Sequence, residues 1–363
     1  MIEELIVMMI SQKDLLMSKY ILPAEWEAHE ATWIAWPQNR SDWPGKFASI
    51  KWVYTEIVKY ISHGEKVRIL VQSKNEELKA EKILNSVSAN LSNIEFLVKK
   101  TNRGWLRDSS PFFVKHKKKL TAVDFKFNAW AKYNDYKLDD EIPSYISNNF
   151  NLKNVTAEYN GQQVVLEGGA VDTNGEGTLI TTEECLLDKK IQVRNPGFEK
   201  EDYEKIFKKY LGISNTIWLG KGIIGDDTHG HVDDLCRFAN ENTVVLVQEE
   251  NSSDENYHLL KENRERLQNL NLPNGKRLNV LDLPIPLPQV FKGQRLPASY
   301  TNFYISNYSV LVPTFNDPND RIALGILSEF FPDRKIIGIH SVDLVWGLGT
   351  IHCLTHEQPK PAI

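Results

Sequence analysis

A single cysteine, Cys353, closes the glycine-bracketed segment Gly347-Leu348-Gly349-Thr350-Ile351-His352-Cys353, about ten residues before the C-terminus. A reactive thiol needs backbone room and some exposure, and the glycines and the polar run Thr355-His356-Glu357-Gln358 offer both. Cys185 and Cys236 carry no such surroundings and read as small buried hydrophobes. A thiol nucleophile also needs a proton-transfer partner. Gly230-His231-Val232-Asp233-Asp234 supplies a histidine and a carboxylate at i, i+2, a spacing that places both on one face of a strand. There the histidine can act as acid and base and the carboxylate can anchor a cation.

Two more carboxylates stand in similar settings. Leu166-Glu167-Gly168-Gly169-Ala170 carries an acid into a double glycine, the pattern of a buried carboxylate at a bulged strand. Trp105-Leu106-Arg107-Asp108 is a short polar interruption before Phe112-Phe113-Val114, with Arg107 beside Asp108 and able to neutralise it. One thiol, one histidine and three carboxylates suit a guanidinium, which is planar, cationic and presents its donors as a fork that carboxylates match. Two carboxylates would grip it, a third would hold the histidine, and its central carbon would face the thiol. Such chemistry requires no metal and no cofactor. A metal hydrolase built on the run His229-x-His231-x-Asp233 is a competing reading, and a non-catalytic guanidinium binder is another.

The elements that must position these groups recur along the chain. Each unit reads as a hairpin, an amphipathic helix and a short buried strand. One runs from the hairpin Trp105–Phe125 to a helix near Asp139–Asn149. A second comprises the hairpin Val164–Thr181, turning at Asn174-Gly175, the helix Lys200–Tyr210 and the strand Thr216–Leu219. A third has the hairpin His231–Val247, helix Glu255–Leu267 and strand Leu278–Leu283, and a fourth the hairpin Tyr300–Val312, helix Asn319–Phe330 and strand Lys335–Ile339. A fifth, with strand Thr32–Trp36, helix Gly45–Ser62 and strand Val67–Val71, lacks a hairpin partner unless Thr350–Leu354 supplies it. Units 50–70 residues apart point to an internal repeat whose two ends pair and close a ring. Asp108, Glu167, His231 with Asp233, Asn302 and Cys353 all fall at or near the same hairpin strand of successive units, so a closed ring would bring them to one axis.

Composition narrows the class. The chain has 363 residues, is 41% hydrophobic and 25% charged, and has a net charge of -5, which gives no footprint for nucleic acid. The basic run Lys115-His116-Lys117-Lys118-Lys119 falls between two strand-like segments and reads as a solvated hairpin tip. Three widely spaced cysteines argue for a reducing compartment, hence a cytoplasmic protein. The apolar run at Leu5–Ile10 is too short to span a membrane and is flanked by acids, so neither a membrane anchor nor a signal peptide is expected. Residues 1–18 read as a tail, with Met17 available as an alternative start, and residues 19–363 as a single catalytic domain.

These residues resemble the agmatine deiminase and bacterial-type peptidyl-arginine deiminase family of the pentein guanidine-modifying superfamily. The resemblance spans Pro23 to Pro359. It is carried by Pro23-Ala24-Glu25-Trp26-Glu27-x-His29-x-x-Thr32-Trp33-x-Ala35-Trp36-Pro37, Trp105-x-Arg107-Asp108, Phe127-Asn128-Ala129-Trp130 and Leu166-Glu167-Gly168-Gly169. Gly225-Asp226-Asp227-Thr228-x-Gly230-His231-Val232-Asp233, Arg295-Leu296-Pro297-Ala298-Ser299-Tyr300-x-Asn302-Phe303-Tyr304 and Gly349-x-Ile351-His352-Cys353 complete it, and in this order the set is specific.

The resemblance implies an α/β fold, a pseudo-symmetric five-bladed α/β propeller of ββαβ units. It implies Cys353 as nucleophile through an amidino-cysteine intermediate, His231 as acid and base, Glu167 as its partner, and Asp108 and Asp233 on the guanidinium. Trp36, Trp105, Trp130, Asn302 and Arg103 join Asp108 and Asp233 as candidate substrate contacts. The implied substrate is agmatine, giving ammonia and N-carbamoylputrescine, an entry to putrescine. Free or peptidyl arginine, giving citrulline, is the alternative, and an amidinotransferase would share every catalytic group. The expected partners are a small cationic guanidinium substrate and further copies of the chain. Asn102-Arg103 departs from the Asn-Asp pair usual in the family, so the arginine either faces away or meets a substrate carboxylate. His229 stands where the family often has Asp.

Overall fold

A computed structural model describes residues 20–361; the N-terminal tail expected at residues 1–18 lies outside them. Four three-stranded sheets share one connectivity, an antiparallel hairpin followed by a helix and a strand that returns parallel to the hairpin's second strand. Phe112–His116, Lys119–Asp124 and Lys153–Thr156 form one sheet, and Val171–Thr173, Thr178–Thr182 and Asn215–Leu219 the next. Cys236–Asn240, Thr243–Gln248 and Asn279–Pro284 follow, then Tyr304–Ile305, Ser309–Thr314 and Lys335–His340. The middle strands are buried on both faces and read accordingly as continuous apolar runs, Val244-Val245-Leu246-Val247 being the clearest.

The remaining sheet joins the two ends of the described chain. Thr355–Pro359 pairs antiparallel with His29–Ala35, which runs parallel to Lys66–Val71 across the helix Phe47–Ser62. That helix forms because Ile50, Tyr54, Ile57, Val58 and Ile61 repeat at helical spacing and are all buried. The C-terminal partner strand was expected at Thr350–Leu354. It starts at Thr355 instead, and Ile351–Leu354 is one helical turn ahead of it. A further helix, Lys74–Ser86, capped by the Ser73 side chain on Glu76 N, leads to an extra edge strand, Ile94–Val98, that the repeat did not foretell.

The core is divided among five apolar clusters, each shared by two sheets. Trp33, Ala35 and Leu70 meet Phe113 and Leu120; Val114 and Val123 meet Val171 and Leu179. Ile180 and Leu219 meet Val244 and Leu246; Val245 and Leu283 meet Val310 and Val312; Leu311 and Ile339 meet Ile34 and Val67. Every sheet thus buries one face against its predecessor and the other against its successor, and no sheet can be removed without exposing two clusters. Each fully buried Val, Leu or Ile contributes roughly 1.5–3 kcal/mol of transfer free energy to that packing. The basic run at Lys115–Lys119 is the tip of a hairpin, with His116 paired to Lys119 and Lys117 at φ 56°. Among the described residues no helix is long and apolar enough to cross a membrane.

Candidate active site

The candidate residues do share a phase of the repeat, but it is the turn before the hairpin and not the hairpin strand itself. Asp108 lies in the helical turn Leu106–Ser109, Glu167 immediately precedes Gly168–Ala170, and His231 precedes the turn Val232–Asp234 that contains Asp233. Cys353 lies in Ile351–Leu354, and Asn302 precedes the strand Tyr304–Ile305. Each turn ends where its strand begins, so the strands hold the turns while the turns present side chains off the sheet. The i, i+2 strand-face reading of His231 and Asp233 is therefore replaced by a tight turn. It is held by Asp226, whose Oδ2 accepts from Gly230 N at 2.7 Å and His231 N at 2.8 Å.

These turns bring six groups into one buried cluster. Cys353 Sγ lies 3.7 Å from Asp233 Oδ2 and accepts from Asn302 Nδ2 at 3.1 Å. Asn302 Oδ1 in turn accepts from Thr350 Oγ1 at 2.6 Å and His352 N at 3.1 Å, so Asn302 pins the thiol's own turn. His231 Nδ1 is 3.9 Å from Asp108 Oδ1 and 4.0 Å from Asp233 Oδ1, and its Nε2 is 3.9 Å from Glu167 Oε2. Asp108 accepts from Trp130 Nε1 at 2.8 Å and from Gly169 N at 2.9 Å. The double glycine is explained by that approach: a Cβ on Gly169 would lie 2.5 Å from His231 Nδ1 and 2.9 Å from Asp108 Oδ1.

Burial and charge set the protonation of the cluster. Burial drives the Cys353 thiol well above its ordinary pKa, and Asp233, Asp234 and Asp108 add to it. For His231 burial acts downward, but the charge of Asp108 and the proximity of Cys185 and Glu167 outweigh it, leaving the imidazole well above its usual pKa. Burial likewise opposes ionisation of Glu167, yet the Arg194 guanidinium holds its carboxyl at about 2. Asp108 is raised, chiefly by burial. Asp233 is lowered, because His352 overcomes the effect of burial. Both directions favour the neutral thiol at Cys353 and the protonated imidazole at His231.

A cavity of about 310 Å³ opens onto Cys353 and Asp108 and is walled by Trp105 and Trp130. Its rim carries Arg103, Asp42, Tyr133 and Asp227. Arg103 does not reach freely into it. Its guanidinium bonds Asp42 Oδ1 at 2.8 Å and Asp135 Oδ1 at 3.0 Å and stacks 4.0 Å over the Tyr133 ring. Trp36, expected as a substrate contact, is 1% exposed and packs edge-on against Tyr54 at 6.4 Å in the apolar core, off the cavity wall. Asn302 is fully buried beneath the thiol. Arg107, expected to neutralise Asp108, instead bonds Glu25 at 3.1 Å and Glu357 at 2.8 Å. His229 bonds Asp188 Oδ2 at 2.9 Å, and His229, His231 and Asp233 form no common ligand cluster among the described residues, which removes the metal run.

Several groups that the sequence left without a role stand close behind. Arg194 Nε bonds Glu167 Oε1 at 3.0 Å with both side chains fully buried, although nothing in its loop marks it out. His352 bridges Asp233 at 2.7 Å and Glu25 at 2.8 Å, and Arg237 reaches Glu25 at 3.0 Å. His352 and Glu25 sit inside quoted motifs, so their motif membership was the available signal. Cys185, read as core packing, lies beside His231 and Glu167.

Comparison with known proteins agrees with this arrangement. The Porphyromonas-type peptidyl-arginine deiminase family is matched over residues 21–359, and the chain belongs to that family. A Legionella pneumophila protein assigned as an agmatine deiminase is 34% identical over 345 residues, covering 94% of this chain and 95% of its own. The structure of the Enterococcus faecalis agmatine deiminase superposes with a TM-score of 0.86 at 30% identity, covering 95% of this chain and 97% of that one. A C. jejuni agmatine deiminase solved with substrate bound gives 0.84 at 31% identity, with the same coverage. The α/β fold is that of the agmatine deiminases.

Proposed function

We propose that this protein is a cofactor-free agmatine deiminase in which residues 19–363 form one five-bladed propeller with the reaction at its axis. The observation that carries the reading is the placement of the Cys353 thiol and the Asp108 carboxylate on one cavity between Trp105 and Trp130, with His231 between the carboxylates. The five apolar clusters shared between successive sheets, the last returning to the first, support closure of the ring. The names of the relatives support agmatine as substrate.

In the proposed mechanism the guanidinium settles between Asp108 and Asp233, and its positive charge offsets the carboxylates that keep Cys353 protonated. The thiol releases its proton to solvent through the open cavity as the sulfur bonds the guanidinium carbon. Ammonia leaves as the C–N bond breaks, taking a proton from His231. Water then adds to the amidino-cysteine carbon with His231 as base, and the C–S bond breaks to release the ureido product and the thiol. Glu167, fixed by Arg194, holds the imidazolium, and Asn302 orients the sulfur.

Agmatine is favoured over arginine because the Arg103 fork is already occupied by Asp42 and Asp135, leaving no free cation among the described residues that line the cavity for a substrate carboxylate. The test is steady-state ammonia release from agmatine, free arginine and an arginyl peptide, with product identification to separate hydrolysis from amidino transfer. Agmatine should give the highest kcat/KM, and Cys353→Ser should abolish release with the fold intact. Preference for arginine, or full activity in that variant, would overturn the proposal.

A further inference from the structure

The thiol that sequence reasoning assigned to core packing has an unexpected neighbourhood. Cys185 lies in the short helix Glu183–Leu187, is 2% exposed, and presents its sulfur to His231 and Glu167, with all three ligand atoms within 4.8 Å of one another. Two of these atoms are buried without a hydrogen-bond partner, His231 Nε2 and Glu167 Oε2, and they face each other at 3.9 Å. Unpartnered polar atoms at such depth have lost their water without replacement, so a ligand that satisfies both has a ready gain.

The donor set is one imidazole nitrogen, one thiol sulfur and one carboxylate oxygen. Zinc-class cations take that mixture at bond lengths of about 2.0–2.3 Å, which places neighbouring ligand atoms roughly 3–4 Å apart. The Glu167–His231 separation already matches. Second-sphere support is present too, since Arg194 holds the other carboxylate oxygen of Glu167 at 3.0 Å and fixes which oxygen faces inward. The guanidinium is the opposing charge at this spot. It is offset by the Cys185 thiolate that binding would create and by Asp108, 3.9 Å from the far imidazole nitrogen.

We propose that Glu167, Cys185 and His231 form a site for a borderline-soft divalent cation of the zinc class, and that filling it arrests the enzyme by withdrawing His231 from proton transfer. The ion displaces two protons to solvent, one from the imidazolium Nε2 and one from the Cys185 thiol, and binds the lone pairs they leave. The inhibitory consequence rests on the proposed role of His231, whereas the site rests only on the three ligands. It is distinct from any capture of metal by Cys353, which lies with Asp233 and Asp234 in a separate cluster.

The experiment is titration of metal-free Cys353→Ser protein with Co²⁺, following the near-ultraviolet thiolate-to-cobalt charge-transfer band. The expected result is a band that saturates at one equivalent and disappears in Cys353→Ser/Cys185→Ser. Absence of the band from Cys353→Ser, or its survival after loss of Cys185, would overturn the proposal. Should the double variant fail to fold by circular dichroism, Cys353→Ser/His231→Gln decides: Co²⁺ affinity should fall by at least roughly tenfold, the loss already typical when a residue that merely supports a ligand is removed, and an unchanged affinity rejects the site. Because the readout is spectroscopic, it can fail while deimination stands, and succeed if deimination fails.

Discussion

Replacing Arg194 by Met isolates the electrostatic support beneath the proposed acid/base pair. Arg194 and Glu167 are both fully buried and meet at 3.0 Å. Burial alone would raise the Glu167 pKa, yet the pair holds it at about 2 against an ordinary 4.5. That difference of about 2.5 in pKa corresponds to roughly 3 kcal/mol of folding free energy at neutral pH. Mutational losses of one partner from buried ion pairs run to about 3–5 kcal/mol, the same range. A depressed carboxylate contributes stability that is complete above its unfolded pKa and vanishes as pH falls from there through its folded value. The deficit of Arg194→Met relative to the parent should therefore be about 3–5 kcal/mol at pH 7 and shrink progressively below about pH 4.5. Urea unfolding followed by far-ultraviolet circular dichroism at both ends of that range measures it. Arg194→Met/Glu167→Gln, which removes both charges, should regain most of the stability without regaining activity. A deficit below about 1 kcal/mol at pH 7, or one unaffected by acid, would refute the assignment of Arg194 as the charge that compensates buried Glu167.

Three further outcomes follow from the same geometry. Gly169→Ala puts a methyl where His231 Nδ1, Asp108 Oδ1 and Asp233 Oδ2 converge, at 2.5, 2.9 and 3.1 Å from the new carbon; kcat/KM should fall about 100-fold with a native circular dichroism spectrum, and activity within about threefold of the parent would show the cluster to be loose. In Arg103→Ala the ratio of agmatine to arginine turnover should stay unchanged, because Asp42 and Asp135 already saturate the guanidinium; a rise in that ratio through selective collapse of arginine turnover would instead make Arg103 a carboxylate anchor. Burial and the neighbouring Asp135 push Asp42 up to about 7, Arg103 only partly opposing them. Ionisation of this cavity-wall acid should thus lower KM for a cationic substrate as pH rises through about 7, and a pH profile unchanged in Asp42→Asn would remove it from the rim electrostatics.

Chemistry-bearing residue types were legible because reactive groups need unusual neighbours. Glycines beside Cys353 and Glu167, and a histidine two residues from an acid, are costly patterns unless the backbone must approach or turn there. Gly169 bears this out, since its missing Cβ is the space between His231 and Asp108. Less legible was the local conformation. A cysteine at the end of an apolar run reads as strand, yet Ile351–Leu354 is a helical turn and the strand begins at Thr355. Four-residue turns make too few local bonds to leave a periodic signature, so the neighbouring sheets decide them. Arg194 was invisible for a related reason: it lies 27 residues from Glu167, in a loop without composition bias, and only packing brings the two together.

By itself, then, the sequence determined the repeated ββαβ order and that Asp108, Glu167, His231, Asp233, Asn302 and Cys353 share one phase of it, while the structure moved that phase from the hairpin strand to the turn before it and the end pairing to Thr355–Pro359. The order and the shared phase depend on periodicity and turn chemistry, which are local. Tertiary structure alone decided which charges meet. It sent Arg107 to Glu25 and Glu357 instead of Asp108, turned His229 to Asp188, sank Trp36 into the core and occupied Arg103 with Asp42 and Asp135. Ion pairing falls off with distance through space and is indifferent to distance along the chain, so no spacing rule could have assigned those partners.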